Sequence, residues 1–562
     1  METANISHRA IGADEKAFIG DSAEKFAQKT HGITLKNVRH ALQLIYRKTD
    51  GYTLLGCRVR AKGALENYIT LRVAANVPAD VVPNEPGDFL LFDTPGLCPD
   101  RLEPIEVPQC IALRPDYTVS VFVTFELDGQ AAAGEYETVF TLENADGEPL
   151  CKDTYVLTVV NAAADETDLK LTNWMHYDGI ASKHGVKLFG DEFYLVFAGY
   201  LREYVRAGNN MLLTPLFTPP LDTAVGHERR TVQLVRVKRT QRENADGANY
   251  RFDFSALKKF IRFAAARGIK YFEFSHLFTQ WGGGHCPKII AEECGEEKKI
   301  FGWETASDSK EYLAFLDEFL TKLASFIDDH GWRKKCYFHL TDEPWEEHLE
   351  KYTFLRDFVK ARIGDMPVMD AISHYDFYEK GGVDVPVPIT GSFKAFENKG
   401  IKELFVYYCC GPYQDFYSNR FLNMPLQRTK IIGAQIYETG VQGFLHWGFN
   451  FYNTAKSYAE INPYEDTSAG SMFPSGDSFV VYPGNGDAVG SLRSETLGEG
   501  FFEYRALKTL ESYIGRKKTL KILHDSGVKG YTEYPRSSAA HRALREKVYA
   551  ALKKAAKRAE KL

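Results

Sequence analysis

Cys336-Tyr337-Phe338-His339-Leu340-Thr341-Asp342-Glu343-Pro344 is the stretch on which the reading of this chain turns. An apolar strand runs straight into two adjacent carboxylates, and Pro344 then stops it. Like charges side by side repel, and burial disfavours their ionised forms, so one of the two pKa values is expected to rise. A pair of this kind supplies one acid able to give a proton and one carboxylate able to stay charged. The plainer alternative is a solvated strand end that feeds the N-terminus of the next helix, where acids are favoured. What surrounds the pair decides between them.

After residue 168 strands and helices alternate. The strands are predicted at Leu169–Trp174, Met211–Leu216, Tyr271–Ser275, Cys336–Leu340, Pro367–Ile372, Val385–Thr390, Leu404–Tyr408 and Val441–Trp447. Helices are predicted at Glu192–Arg206, Ser255–Arg267, Ser309–Asp329, Trp345–Ile363 and Arg420–Glu438. Eight strands followed by helical or loop segments fit a (β/α)8 barrel over residues 166–520 better than an open sheet. Active sites of such barrels lie at the C-terminal ends of the strands. Asp342-Glu343 ends the fourth, which favours chemistry over a solvated strand end.

The same rim gathers further candidates. Asn173, Trp174, His176, Tyr177 and Asp178 follow the first strand, and His276 follows the third, with Trp281, His285 and Trp303 in a long loop. His374, Tyr375 and Asp376 follow the fifth, Tyr407 and Tyr408 end the seventh, and Trp447 to Asn453 end the eighth, Asn450 among them. Aromatic faces cover the apolar side of a pyranose while amides and hydroxyls satisfy its hydroxyl groups, so this set suits a sugar.

Upstream, residues 34–165 alternate in short segments such as Tyr68–Ala74, Thr118–Phe125 and Tyr155–Val160 between turn-rich pieces, which predicts a β-sandwich ahead of the barrel. Residues 161–167 read as a linker, residues 1–33 as a loosely ordered tail, and residues 521–562 as a basic helical extension with a solvated charged face. A chain of 562 residues is too long for one ordinary domain. A net charge of −6 with interspersed signs gives no surface for nucleic acid or an anionic membrane. No run of eighteen apolar residues predicts a membrane span, and no basic stretch followed by an apolar one opens the chain, so a cytoplasmic location is expected. The nine cysteines then read as reduced thiols.

The quoted residues resemble glycoside hydrolase family 123, the β-N-acetylgalactosaminidases, and its related domains. Similar features are the Gly96–Asp100 motif in the sandwich, the Thr341–Pro344 strand end, the Gly443–Asn450 strand, and a tail with Gly476-Asp477, Tyr482-Pro483-Gly484, Ser491-Leu492-Arg493 and Glu495. The resemblance implies a retaining mechanism in which the substrate's own 2-acetamido oxygen attacks C1, an exception to the two-carboxylate scheme. Glu343 matches the general acid and base, and Asp342 the residue that orients the acetamido N–H. Tyr407 or Tyr408 is then the candidate for the acetamido oxygen, Trp447 for the wall beside the sugar, and His276 and Asn450 for hydroxyl contacts. The implied substrate is a glycan or glycolipid head group ending in β-linked N-acetylgalactosamine, and the chemistry needs no cofactor.

Other readings compete. A metal held by His285, Cys286 and Cys294, with His276, matches no ordinary zinc spacing. A nucleophilic Cys409 or Cys410 has no assignable base. A carbohydrate-binding protein without activity, or a glycosidase for sugars lacking the acetamido group, keeps the same frame.

Overall fold

The computed structural model describes residues 5–83, 89–105, 110–241 and 248–559. Two five-stranded sheets form the N-terminal β-rich region. One runs Ile6–Gly12, His40–Lys48, Thr118–Phe125, Ile69–Ala79, Gly96–Pro104 in spatial order; the other runs His31–Leu35, Pro149–Val160, Gly134–Glu143, Leu54–Gly63, Ile111–Leu113. Alternate residues of both sheets, among them Leu42, Leu44, Val121, Val123, Phe140, Leu142, Tyr155 and Leu157, interdigitate in one buried core, as the period-two pattern requires. The described part of the first thirty-three residues, from residue 5 on, is no loose tail: Ile6–Gly12 pairs antiparallel with His40–Lys48 along its whole length, and Ala10 and Ile11 are buried. That segment is short and weakly alternating, so only its partner strand reveals it.

Eight short parallel strands follow, each shorter than its predicted range and lying inside it. Lys170–Asn173, Met211–Thr214, Tyr271–Phe274, Cys336–Phe338, Phe405–Tyr407 and Gly443–His446 form one six-stranded sheet, with the fourth and seventh of the eight at its edges. Met369–Asp370 and Val385–Pro386 pair separately. Single parallel bridges, Phe338 to Val368 and Ile389 to Tyr407, join this two-stranded piece to both edges of the six. The chain is thus a mixed α/β fold in which the continuous ladder covers six of the eight predicted strands. Helices Asp191–Arg206, Ser255–Ala265, Lys310–Asp329 and Leu349–Ile363 cover the outer face of the sheet.

Two hairpins escape the sequence pattern. Arg236–Gln241 with Ala248–Asp253, and Ile289–Glu293 with Glu296–Phe301, build a four-stranded sheet beside the strand ends. The turn of the second, Cys294-Gly295, has φ of 54° and 85°, the two-residue geometry that matches strand twist. Its strand Glu296-Glu297-Lys298-Lys299 is too polar to register as β from composition. The long helix Leu492–Ile514, capped by Ser491, packs against Ile432–Thr439 so closely that a Cβ on Gly433 would meet the Gly500 carbonyl at 1.8 Å. The C-terminal helix Ser538–Ala559 also docks: Leu544, Val548, Tyr549, Leu552 and Ala556 are buried against it, and only its other face is charged and solvated.

The β-rich region is tied to the rest by a buried ion pair. Arg493 donates from Nε and Nη2 to both oxygens of Asp100 at 2.9 and 2.8 Å, and Tyr482 donates to Asp100 at 2.7 Å. Arg493 also donates to the carbonyls of Gly476 and Phe479. The scattered motifs Gly96–Asp100, Gly476-Asp477, Tyr482–Gly484 and Ser491–Arg493 thus meet at one point.

Candidate active site

Consecutive residues of a strand face opposite sides, so Asp342 and Glu343 can share a site only if the backbone leaves β geometry. It does. Ladder pairing of the fourth strand stops at Phe338, and Glu343 has φ +45°, a conformation costly for a side chain of its size and characteristic of functional positions. The bend is held from the next loop: the Trp281 N–H donates to the Asp342 carbonyl at 2.8 Å, and the Thr341 hydroxyl donates to the Thr279 carbonyl at 2.7 Å.

The two carboxylates are in different environments. Tyr407 Oη donates to Glu343 Oε1 at 2.6 Å. Burial, with the charges of Glu343 and Asp222, pushes Asp342 well above the usual carboxylate range, against the opposing pull of His339.

A third carboxyl, Asp222, comes from the loop after the second strand. Its φ is +46°; its N–H donates to Gln280 Oε1 at 2.7 Å and its carbonyl accepts from Ser457 at 2.6 Å. Burial, reinforced by Glu343 and Asp477 and offset in part by Arg229, pushes it up to about 7.

Beneath the pair lies a buried charged floor. His339 Nδ1 is 3.3 Å from Asp370 Oδ1 and Nε2 is 3.6 Å from Glu273 Oε2. Burial opposes its charge, yet the two carboxylates win and push it up to about 9, so the ring is an imidazolium at neutral pH. Tyr352 donates to Asp370 at 2.6 Å, and Thr172 to Glu273 at 2.9 Å. His276 stacks on His339 with centroids 4.3 Å apart, and Trp174 meets both rings edge-on. Burial and the His339 charge hold His276 well below its ordinary value. His276, His339 and Asp370 are the one trio of such side chains, among the described residues, close enough to share an ion. The rings lie within 17° of parallel, so their in-plane lone pairs do not converge, and His339 Nδ1 already faces Asp370. This trio fits a charge network better than a metal.

The wall is Trp447. Its indole Nε1 donates to Asp477 Oδ2 at 3.1 Å, and Arg420, fully buried, donates to the carbonyls of Gly448 and Asp477. Burial pushes Asp477 up to about 6, against Arg420 and the indole.

The structure gathers some predicted residues and disperses others. Tyr407 faces the carboxylates; Tyr408 points into the outer core against Phe444 and His446, which settles the alternation that the sequence left open. Asn450 is consumed: its amide bridges the His176 backbone, accepting from N–H and donating to C=O, both at 2.9 Å, so it clamps two loops and offers nothing to a sugar. Asn173 and Trp174 are buried, and the side-chain oxygen of Asn173 and the indole N–H of Trp174 lack protein partners. Trp303 packs on His285 beside Arg229 and Cys286, in a small recess of its own. Arg229 forks onto Asp178 at 2.7 and 2.8 Å, which uses up another predicted rim residue. The Cys409 thiol is pushed far up by its contact with Cys410 and by burial, which leaves it no thiolate.

Three acids were missed altogether, Asp222, Glu273 and Asp370, and Asp477 was read only as part of the tail motif. Asp370 and Glu273 lie inside predicted apolar strands, where a charge needs a reason, and that signal was available. Asp222 follows a loop and carries no such mark.

Two adjacent carboxyls at the mouth of a set of parallel strands, one raised by burial and by its neighbour's charge, suit the protonation of a leaving glycosidic oxygen, and the class they define is glycoside hydrolase. Residues 174–510 match the sequence model described as glycoside hydrolase 123, catalytic domain, and the chain belongs to that family. No curated protein matches the chain by sequence. Among solved structures, a family 123 glycoside hydrolase from Clostridium perfringens, studied for glycolipid glycan hydrolysis, superposes with a TM-score of 0.73 at 15% identity over 98% of both chains. A glycosyl hydrolase family 2 member from Bacteroides cellulosilyticus (11% identity, 76% of this chain and 46% of that one, TM-score 0.28) and an endo-β-1,4-mannanase from Thermotoga petrophila (11%, 61% and 78%, 0.33) overlap too little to bear on the fold. No helix among the described residues is long and apolar enough to cross a membrane.

Proposed function

We propose that this enzyme releases terminal β-linked N-acetylgalactosamine from glycans or glycolipid head groups with retention, by attack of the substrate's acetamido oxygen on C1. The observation that carries it is the adjacent pair bent out of the strand, one carboxyl raised by burial and the other held by Tyr407. The glycolipid head group is the substrate class studied in the Clostridium perfringens relative. The six-stranded sheet, the two-stranded piece and the two bridges between them read as one (β/α)8 barrel at residues 166–520, behind a sandwich whose strands run from Ile6 to Val160.

In this mechanism Glu343 gives its proton to the glycosidic oxygen as the C1–O bond breaks. The acetamido carbonyl oxygen bonds to C1 and forms a cyclic oxazolinium. Asp342 accepts the acetamido N–H and faces the positive charge that grows there. Water then attacks C1, loses a proton to the Glu343 carboxylate, and the acetamido group is restored. The chemistry needs the proton on Glu343. An acetamido N–H donated to Asp342 stabilises the Asp342 carboxylate against the burial that raises its pKa. Tyr407 steadies Glu343 and lies within reach of the acetamido arm, and Trp447 walls the sugar.

Asp222 favours a second reading. Its carboxyl is close enough to Glu343 for mutual repulsion, and a glycosidase that lacks acetamido assistance would need such a group as nucleophile or base.

The test is hydrolysis of p-nitrophenyl β-GalNAc, β-GlcNAc and β-Gal by wild type, Asp342→Asn and Glu343→Gln. Cleavage of β-GalNAc but not β-Gal, with Asp342→Asn reduced about 10²–10³-fold, is expected. Equal cleavage of β-Gal refutes acetamido assistance and turns attention to Asp222.

A further inference from the structure

A cavity of about 340 Å³ opens at the seam between the β-rich region and the C-terminal helix Ser538–Ala559, and none of the active-site residues described above lines it. Its wall combines apolar Ile11, Ile33 and Leu42 with charged side chains drawn from separate stretches of the chain. Some of those charges are already matched. Lys430 donates to Glu499 at 2.7 Å and lies 3.2 Å from Glu503, and Arg542 is 3.3 Å from Glu15. Lys29 is placed differently: burial and the Arg542 charge pull its pKa down, with Arg545 adding to the repulsion and Asp14 and Glu546 opposing it.

Two buried donors face the same space. His40 is only 7% exposed; its Nε2 is 2.7 Å from Tyr155 Oη, and its Nδ1 has no protein partner. Burial and the charges of Arg545, Lys430 and Lys29 keep the ring neutral, well below its ordinary pKa, and burial keeps the Tyr155 phenol protonated. Both groups are satisfied when Tyr155 Oη donates to Nε2, which puts the imidazole proton on Nδ1. A Cβ on Gly32 would meet Tyr155 Oη at 2.2 Å and His40 Nε2 at 2.4 Å, so glycine there is what admits this pair. Arg545 reaches Glu499 at 3.6 Å through Nη1, yet its Nε is buried without a partner. Glu499 Oε1 is a buried acceptor in the same position.

Buried donors left unpaired weaken a fold, and Lys29, Arg542 and Arg545 repel one another across the seam. An anionic oxygen between them answers both costs. We propose that this cavity binds a small hydroxylated organic anion, its charged oxygens received by Lys29, His40 Nδ1–H and Arg545 Nε–H, a hydroxyl donated to Glu499 Oε1, and its carbon skeleton laid against Ile33 and Leu42. Such a ligand bridges the β-rich region and the C-terminal helix, so its binding stabilises the folded chain. The site stands apart from the hydrolytic reading and survives its failure.

The test is calorimetric titration with gluconate, glucitol 6-phosphate and sorbitol, matched six-carbon chains that end in a carboxylate, a phosphate or an alcohol. Wild type should bind at least one of the two anions with a Kd of about 1 mM or tighter, and sorbitol at least about 10-fold more weakly. Preference for gluconate assigns a carboxylate head, and preference for glucitol 6-phosphate a phosphate. Lys29→Met should weaken the anion by about 10-fold or more. Ala550→Trp, at an exposed helix position on the cavity wall, leaves every charge in place and should abolish binding by closing the space. Thermal denaturation without ligand establishes that each variant is folded; should Lys29→Met unfold, Ala550→Trp decides alone. Sorbitol bound as tightly as the anions, no binding of any of the three, or anion binding that survives either substitution overturns the proposal.

Discussion

Replacing His339 with glutamine should change how stability depends on pH. His339 lies between two carboxylates that are fully buried, Glu273 and Asp370, in the floor beneath the Asp342-Glu343 pair. Its pKa in the fold is about 9 against an ordinary 6.5. At about 1.36 kcal/mol per tenfold change in proton activity, the difference is worth about 3 kcal/mol. The sign follows from linkage. A group whose folded pKa exceeds its unfolded value binds its proton more tightly in the fold, so its stabilisation is complete below pH 6.5 and is lost as the pH rises through 9. The wild-type thermal midpoint should fall between pH 6.5 and 9 by on the order of 5 °C more than that of His339→Gln. His8, raised by its bond to Asp153, contributes with the same sign, as do carboxyls such as Asp222 at lower pH. Those groups are common to both proteins and cancel in the difference. The variant itself should be destabilised throughout, because two buried carboxylates lose their partner. The assay is calorimetry or intrinsic fluorescence from pH 6 to 9.5, with kcat/KM measured alongside. Parallel midpoint curves for the two proteins would refute the buried imidazolium and, with it, the electrostatic floor assigned to Asp342.

Two further outcomes follow from other parts of the site. Asp222, at about 7, adds a negative charge beside the catalytic pair as the pH rises, which holds the pair's proton to higher pH; in Asp222→Asn the alkaline limb of the kcat/KM profile should move down by on the order of half a pH unit, and an unmoved limb removes Asp222 from the site's electrostatics. Asp100→Asn breaks the fully buried bidentate pair with Arg493, at a cost of about 3–5 kcal/mol; thermal denaturation should register that loss while KM of the surviving protein stays within about twofold.

Much of the fold was legible because its signals are local. Largely apolar runs of five to seven residues, separated by helical periodicity, located all eight parallel strands, and alternation located strands of the β-rich region at Tyr68–Ala74, Thr118–Phe125 and Tyr155–Val160. Where partners supply the reason, the sequence fell silent. Ile6–Gly12 is a strand because His40–Lys48 lies beside it, and Glu296–Phe301 is one because a Cys294-Gly295 turn folds it back on Ile289–Glu293. The C-terminal helix hides its apolar face against Leu492–Ile514, a partner some thirty residues earlier.

The site divides in the same way. The sequence by itself determined the Asp342-Glu343 pair and the strand end that bears it, since two adjacent acids closing an apolar strand have few structural uses. It also placed Trp447 at the end of the eighth strand, where the structure has it beside Asp477. Only the tertiary structure decided that Tyr407 rather than Tyr408 turns inward, because the facing of a three-residue strand depends on the core that receives it. Only there does Asn450 become a loop clamp, and only there do Asp222, Glu273, Asp370 and Asp477 converge from four separate segments around His339, Trp447 and the pair. Electrostatic environment is a sum over neighbours in space, and neighbours drawn from distant parts of a chain leave no mark in the order of its residues.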